Sequence, residues 1–235
     1  FHRMALGLQK LAEDMLKEPK SYKPLKQINW AISNQCPLCC KGCYFNFRNG
    51  KMSIAQAREI AKKLRAAGVE EVILTGGDPL LAEDFVEYVD LLRALGMKVA
   101  VDTTGYTMTE ELAAKLEGKL TYVGLPIDGA TQEVVATFRK GQDDTLSRVK
   151  KAIDILRRHG IAVKVNTTVT RHNIGHLIGI GEMIAKEGYA DKWGWSVFQW
   201  WDTRAEPRMA EKYAVSDDDF LQAVARLKAA VRGAA

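Results

Sequence analysis

The apolar residues of this chain change their spacing several times, and each change marks an element. Over 27–34 the side chains of Ile28, Trp30 and Ile32 alternate with Asn29, Ala31 and Ser33, a period of two that predicts a strand. Ser53 opens a helical pattern over 54–67 that stops at Gly68, and the short run Val72-Ile73-Leu74 predicts a buried strand. A helix over 82–95 ends at Gly96, a strand follows over 98–103, and Thr109 caps a short helix. The next strand covers 120–127, with Val123, Leu125 and Ile127 on one face and Tyr122, Gly124 and Pro126 on the other. A helix over 145–158 runs into the cations Arg157, Arg158 and His159, which suit the carbonyl end of a helix. In the strand over 161–169, Val163, Val165 and Val169 face one way and Lys164, Asn166 and Thr168 the other. A helix over 174–187, a strand over 193–200 and a closing helix over 217–232, capped by Ser216, complete the series. Ahead of it, Leu6, Leu8, Leu11, Met15 and Leu16 are spaced as a leading helix over 4–18.

Six strand-and-helix units in succession predict an α/β protein whose consecutive strands are parallel, because such crossovers are right-handed and curl the sheet toward an incomplete barrel. Ligand sites then fall at the carboxyl ends of the strands. The 235 residues read as a single domain, with a tag remnant at 1–3, an N-terminal helix within 4–26, a barrel core over 27–201 and a C-terminal helix within 202–235. The net charge of +5 is scattered over helical faces, which argues against a nucleic-acid partner. No signal peptide and no run approaching the roughly 20 apolar residues of a membrane span is visible, so no membrane association is expected.

All four cysteines lie between Cys36 and Cys43. Disulfides would close only tiny loops, and structural zinc sites usually join two separated knuckles. An iron-sulfur cluster has several iron corners that thiolates of one loop can reach. Unpaired thiols holding such a cluster point to a reducing, cytoplasmic setting. The spacing C-x3-C-x2-C of Cys36, Cys40 and Cys43 resembles the cluster motif of the radical S-adenosylmethionine (SAM) superfamily. The resemblance implies a partial, TIM-like (βα)6 barrel, a [4Fe-4S] cluster on those three residues, and S-adenosyl-L-methionine at the open fourth iron. Cys39 is then left without a ligand role. Where relatives commonly carry an aromatic residue before the third cysteine, this chain has Gly42, and Tyr44 is expected to take over part of the adenine contact.

Gly76-Gly77-Asp78-Pro79 follows the second strand, where the superfamily places a Gly-Gly-Glu-Pro segment against the methionine amino group. The resemblance makes Gly76, Gly77 and Asp78 cofactor contacts, and Thr103 and Thr104 candidates for the cofactor carboxylate. Pro126 stands where many relatives use a serine on the ribose, and proline has neither hydroxyl nor amide hydrogen. Asp128 remains to receive a ribose hydroxyl, with an Asp-Gly turn as the equal alternative. Polar groups on the inner face of the 161–169 strand are costly unless they meet something polar. In a barrel with its site at the lumen mouth, cofactor and substrate can supply it, with Asn166 a cofactor candidate and Lys164 a substrate candidate. The alternative for Lys164 is a pair with Asp102 or Asp128 inside the barrel.

Asn29-Trp30, Lys164-Val165-Asn166-Thr167 and Trp195-Ser196-Val197-Phe198-Gln199 resemble runs of the viperin-like branch, but Glu71, Gly194 and Ser196 occupy positions where that branch has triphosphate-binding cations. The implied activity is reductive cleavage of SAM to a 5'-deoxyadenosyl radical that abstracts hydrogen from a small molecule: a nucleoside or nucleotide, a sugar or an amino acid. Lys164, Asn29 and Gln199 are expected to point inward around that substrate, and a flavodoxin or ferredoxin to supply the electron. The alternatives are a peptide maturase without auxiliary cluster, since no cysteine follows Cys43, and a non-catalytic iron-sulfur or zinc protein.

Overall fold

The computed structural model of the protein describes residues 25–43, 52–189, 192–203 and 206–233. The tag remnant, the leading helix over 4–18 and Tyr44 lie outside the described residues. Six strands form one sheet in sequence order: β1 (Gln27–Ser33), β2 (Glu71–Gly76), β3 (Lys98–Asp102), β4 (Val123–Pro126), β5 (Val163–Val169) and β6 (Trp195–Gln199). Every neighbouring pair is parallel. Helices cover the outer face: α1 (Ile54–Ala66), α2 (Phe85–Ala94), α3 (Glu110–Leu116), α4 (Gln132–Phe138), α5 (Thr145–Arg158), α6 (Leu177–Glu187), α7 (Pro207–Tyr213) and α8 (Asp217–Gly233).

Local chemistry explains the helix starts. Ser53 and Gln56 close a capping box on α1, while Thr109 and Thr131 cap α3 and α4 through their hydroxyls. The C-cap Gly188 ends α6 at φ 61°, a left-handed conformation that only glycine enters freely. The main core lies between strands and helices, where Leu74, Leu92, Leu125, Leu156 and Ile180 are fully buried. Each such side chain is worth roughly 1.5–3 kcal/mol on burial. Inside the barrel, Ile73, Ala100 and Tyr122 form a separate apolar plug.

Several element boundaries differ from the sequence pattern. The helix expected over 82–95 starts late: a 3-10 turn over Pro79–Leu81, capped by Asp78, precedes it, and α2 begins only at Phe85. Helices α4 and α7 have seven residues each, too short for an apolar period to show, so 202–235 holds two helices where one was expected. β1 slips against β2 between Ala31 and Ser33, and Gly76, at φ 143°, lies opposite the slip. A Cβ there would run into the carbonyl of Ser33, so the crossing of β1 and β2 requires glycine.

Candidate active site

A cavity of about 440 Å³ opens at the carboxyl ends of the strands. Cys36, Cys40 and Cys43 line it, whereas Cys39 does not. Cys39 is exposed, and its N–H donates to Lys140 O at 2.7 Å, so the backbone turns its thiol aside. The loop is fixed from three directions. Cys43 N–H donates to Cys40 O at 3.2 Å, Gln142 Nε2 to Pro37 O at 3.2 Å, and Trp200 Nε1 to Gly42 O at 2.7 Å. A Cβ on Gly42 would stand 2.8 Å from Phe138, 2.9 Å from Tyr213 and 3.0 Å from Trp200. The aromatic residue absent at position 42 is thus replaced in space by rings from α4, α7 and the end of β6.

Burial pushes the Cys36 thiol up to about 11, against the opposing hydrogen bond from Leu38 N–H. Burial also raises Cys40, with Arg139 working the other way. Such thiols stay protonated until a bound cation stabilises the thiolate, as metal ligands require. Among the described residues no group of three His, Cys, Asp or Glu converges as a single ion would demand. The fit to a cluster rests on one shared cavity and one thiol for each of three iron corners.

Gly76, Gly77, Thr103 and Thr104 line the same cavity. Gly77 N–H donates to Ser33 O at 2.7 Å and Asp78 N–H to Gln35 O at 2.6 Å, which ties the glycine turn to the start of the cysteine loop. Asp78 itself is fully buried and is not among the lining residues. Its carboxylate accepts from Thr103 Oγ1 at 2.6 Å, Leu80 N–H at 3.1 Å, Thr104 N–H at 3.2 Å and the Thr104 hydroxyl. It joins the loops after β2 and β3, so that of Gly76, Gly77 and Asp78 only the two glycines line the cavity. Asp128 is likewise turned inward: it accepts from Thr168 N–H at 2.7 Å and from Arg139 Nε, and its side chain is buried.

Sequence reasoning passed over Arg139 and reached Asp102 only as a possible partner of Lys164; both line the cavity. Burial disfavours the Arg139 cation, but the Asp128 carboxylate, which accepts from its Nε, outweighs that and holds the guanidinium charged. No spacing marks a lone Arg after an unnoticed helix, so only the fold could find it. Asn29 and Asn166 line the cavity as expected. Lys164 is on the inner face of β5 but not among the lining residues; its Nζ lies over the Tyr122 ring, 5.3 Å from the centroid. Gln199 borders the cavity, yet it shares the outward face of β6 with Trp195 and Val197. Its Nε2 donates at 2.9 Å to Val215 O and to Asp217 Oδ1, so it does not point inward with Lys164 and Asn29.

Three thiols, a glycine turn and a polar lumen around one cavity define a cofactor-binding partial barrel. The chain belongs to the radical SAM superfamily, whose family profile matches residues 30–184. It is 27% identical to an AdoMet-dependent heme synthase of Oleidesulfovibrio alaskensis over 73% of this chain and 44% of the relative. It is 28% identical to an S-adenosylmethionine-dependent nucleotide dehydratase of a Thermoplasmatales archaeon, over 68% of this chain and 58% of the relative. Among solved structures, native anSMEcpe with bound AdoMet shares the fold at a TM-score of 0.74 and 22% identity, covering 87% of this chain and 59% of that one. The chain spans about half the length of the curated relatives it matches. Relatives of different activity match at similar identity, so the family is defined and a viperin-like branch is not singled out. No described helix is long and apolar enough to cross a membrane.

Proposed function

We propose that this chain holds a [4Fe-4S] cluster on Cys36, Cys40 and Cys43 and binds S-adenosyl-L-methionine beside it, as an enzyme acting on a small molecule. The observation that carries this reading is the convergence of those thiols with Gly76 and Gly77 on one cavity. When bound, cluster and cofactor supply reductive cleavage of SAM to methionine and a 5'-deoxyadenosyl radical that abstracts hydrogen from substrate. The chain's own work is placement. Gly76 and Gly77 leave room for close approach to the backbone. Asp78 fixes Thr103 and Thr104 at the wall, and Arg139, locked by Asp128, provides a cation beside Cys40. Asn29 faces the substrate side, the Lys164 ammonium favours the charged form of Asp102 against its burial, and Gln199 secures the rim through Val215 O and Asp217. A cavity of about 440 Å³ has the size of a small-molecule site. A flavodoxin or ferredoxin would deliver the electron.

Anaerobic reconstitution tests the reading. About four irons and four sulfides per chain are expected, with slow formation of 5'-deoxyadenosine from SAM after dithionite reduction. Zinc as the only metal after reconstitution would overturn it.

A further inference from the structure

One ion pair in the cavity wall is set with its positive end toward the cysteine loop and its negative end away from it. Arg139 lines the cavity together with Cys40 and Cys43, whereas Asp128, buried behind it, does not. The end of β5 holds Asp128 back: Thr168 N–H donates to its Oδ1 at 2.7 Å, and Asn173 Nδ2 to its backbone carbonyl at 2.9 Å. Arg139 is held forward. Cys39 N–H donates at 2.7 Å to the carbonyl of the next residue, Lys140, which pins this stretch of backbone to the cysteine loop. The guanidinium carbon lies 5.3 Å from the ring centroid of Phe138, and a Cβ at position 42 of that loop would touch the same ring. The pair is also side-on: Nε is the only guanidinium atom bonded to Asp128, and Nη1 and Nη2 have no hydrogen-bond partner among the described residues.

A buried ion pair is a poor device for stability, since apolar residues of similar volume commonly do as well. Its effect on a third charge is a separate matter. Opposite charges side by side cancel at a distance, but not for a group next to one of them, and in a partly buried site little water or salt screens the difference. At Cys40 the imbalance favours the cation: Arg139 supports a negative charge on that sulfur more than Asp128 opposes it. Asp78, the other buried carboxylate near the thiols, bears on Cys36. An electron entering an iron-sulfur cluster adds one negative charge, and the net charge around such a cluster is among the factors that set its potential. A fixed cation at the Cys40 corner therefore makes reduction easier.

We propose that Arg139, oriented by Asp128, raises the reduction potential of the cluster held by Cys36, Cys40 and Cys43. The inference rests on the function proposed above and concerns its electron-entry step. In that step a flavodoxin or ferredoxin, itself oxidised, hands one electron to the cluster, and no bond is made or broken. Arg139 acts through its fixed charge, and Asp128 through the direction in which it holds that charge.

The test is an EPR-monitored potentiometric titration of the reconstituted protein without SAM, which reads the midpoint potential directly. Arg139→Gln removes the near charge and leaves the far one, so the reduction equilibrium should fall about tenfold or more, about 59 mV for a one-electron couple. Asp128→Asn keeps the cation and an acceptor for Thr168 N–H, and should move the midpoint the opposite way. Arg139→Lys keeps the charge and should stay within about threefold of wild type. The opposite signs discriminate, because damage to the cavity wall has no reason to raise the potential in one variant and lower it in the other. Should either single variant not hold the cluster, Arg139→Gln/Asp128→Asn leaves no charge unpaired and takes its place, with a lowered midpoint expected. Midpoints that move in the same direction in both single variants, or an Arg139→Gln or double-variant midpoint within about twofold of wild type, overturn the proposal. Loss of S-adenosylhomocysteine affinity in Arg139→Gln, by calorimetry, at an unchanged midpoint overturns it too, by giving the guanidinium to the cofactor. Wild-type protein without an iron-sulfur cluster would instead overturn the underlying function, and this inference with it.

Discussion

Trp200 donates its indole N–H to the carbonyl of Gly42 at 2.7 Å, joining the end of β6 to the cysteine loop across 158 positions of sequence. The bond is buried and flanked by Phe138 and Tyr213, whose rings lie 5.5 Å apart. Trp200→Phe keeps most of the ring packing and loses the donor, leaving the Gly42 carbonyl unpaired at a cost of about 1–3 kcal/mol. Lower iron content per chain after reconstitution, with a modest fall in the urea midpoint, is the expected outcome. Gly42→Ala should do more damage, because its Cβ meets all three rings. Unchanged iron in both variants would make the clamp irrelevant to the cluster.

Cys40→Ala should abolish the cluster, and Cys39→Ala should leave it largely intact. The thiol of Cys40 lines the cavity and that of Cys39 does not. Iron and sulfide analysis of the two variants, prepared side by side, decides the register of the motif.

Asp128 is 1% exposed in its side chain and the paired Arg139 is 20% exposed. Replacing Asp128 by Ala leaves the guanidinium without its partner, a loss of roughly 3–5 kcal/mol for a buried pair. Urea unfolding measures it. A change below about 1 kcal/mol, as in a surface pair, would show that the ion pair does not hold the cavity wall.

Gly76→Val should weaken S-adenosylhomocysteine binding and also destabilise the fold, since position 76 has φ 143° and its Cβ would strike Ser33. Backbone strain of this kind costs on the order of 1–3 kcal/mol. Gly77 lines the same cavity without positive φ, so Gly77→Ala separates the two effects: affinity should fall with little change in melting temperature. Calorimetry and a thermal melt read them independently.

His159, at the end of α5, has its pKa raised by hydrogen bonds to Glu117 and then Glu110. The folded state holds the proton more tightly than the unfolded one, so the stabilisation is fully present below the unfolded value of about 6.5 and disappears as pH rises through the higher folded value. His159→Gln should therefore lower the melting temperature at pH about 6 and leave it nearly unchanged at pH about 9. The opposite trend would exclude the ion pairs as the cause.

Much of the fold was legible because apolar spacing is a local property. α5 matches its pattern from Thr145 to Arg158, and the alternation of Val163, Val165 and Val169 placed Lys164, Asn166 and Thr168 on the inner face as found. Short elements escaped: α4 and α7 carry too few apolar positions for a period to show. Gln199 illustrates the limit at a strand end, since a slip of one residue reverses the face, and Phe198 takes the inward place.

The sequence alone determined the spacing of the thiols and the order of the parallel strands, because cysteine spacing and hydrophobic period are written in consecutive residues. It also brought the glycine turn to the same end of the barrel as the thiols. Tertiary structure decided which polar groups remain open to a ligand. Asp78 and Asp128 look like ligand carboxylates in sequence, yet both are absorbed by hydrogen bonds from other loops. Arg139 carries no sequence signal and Asp102 only that of a possible partner for Lys164, and both line the cavity. The physical reason is that a carboxylate's availability depends on which donors reach it, and all of those donors but Leu80 N–H come from residues 11 to 40 positions away.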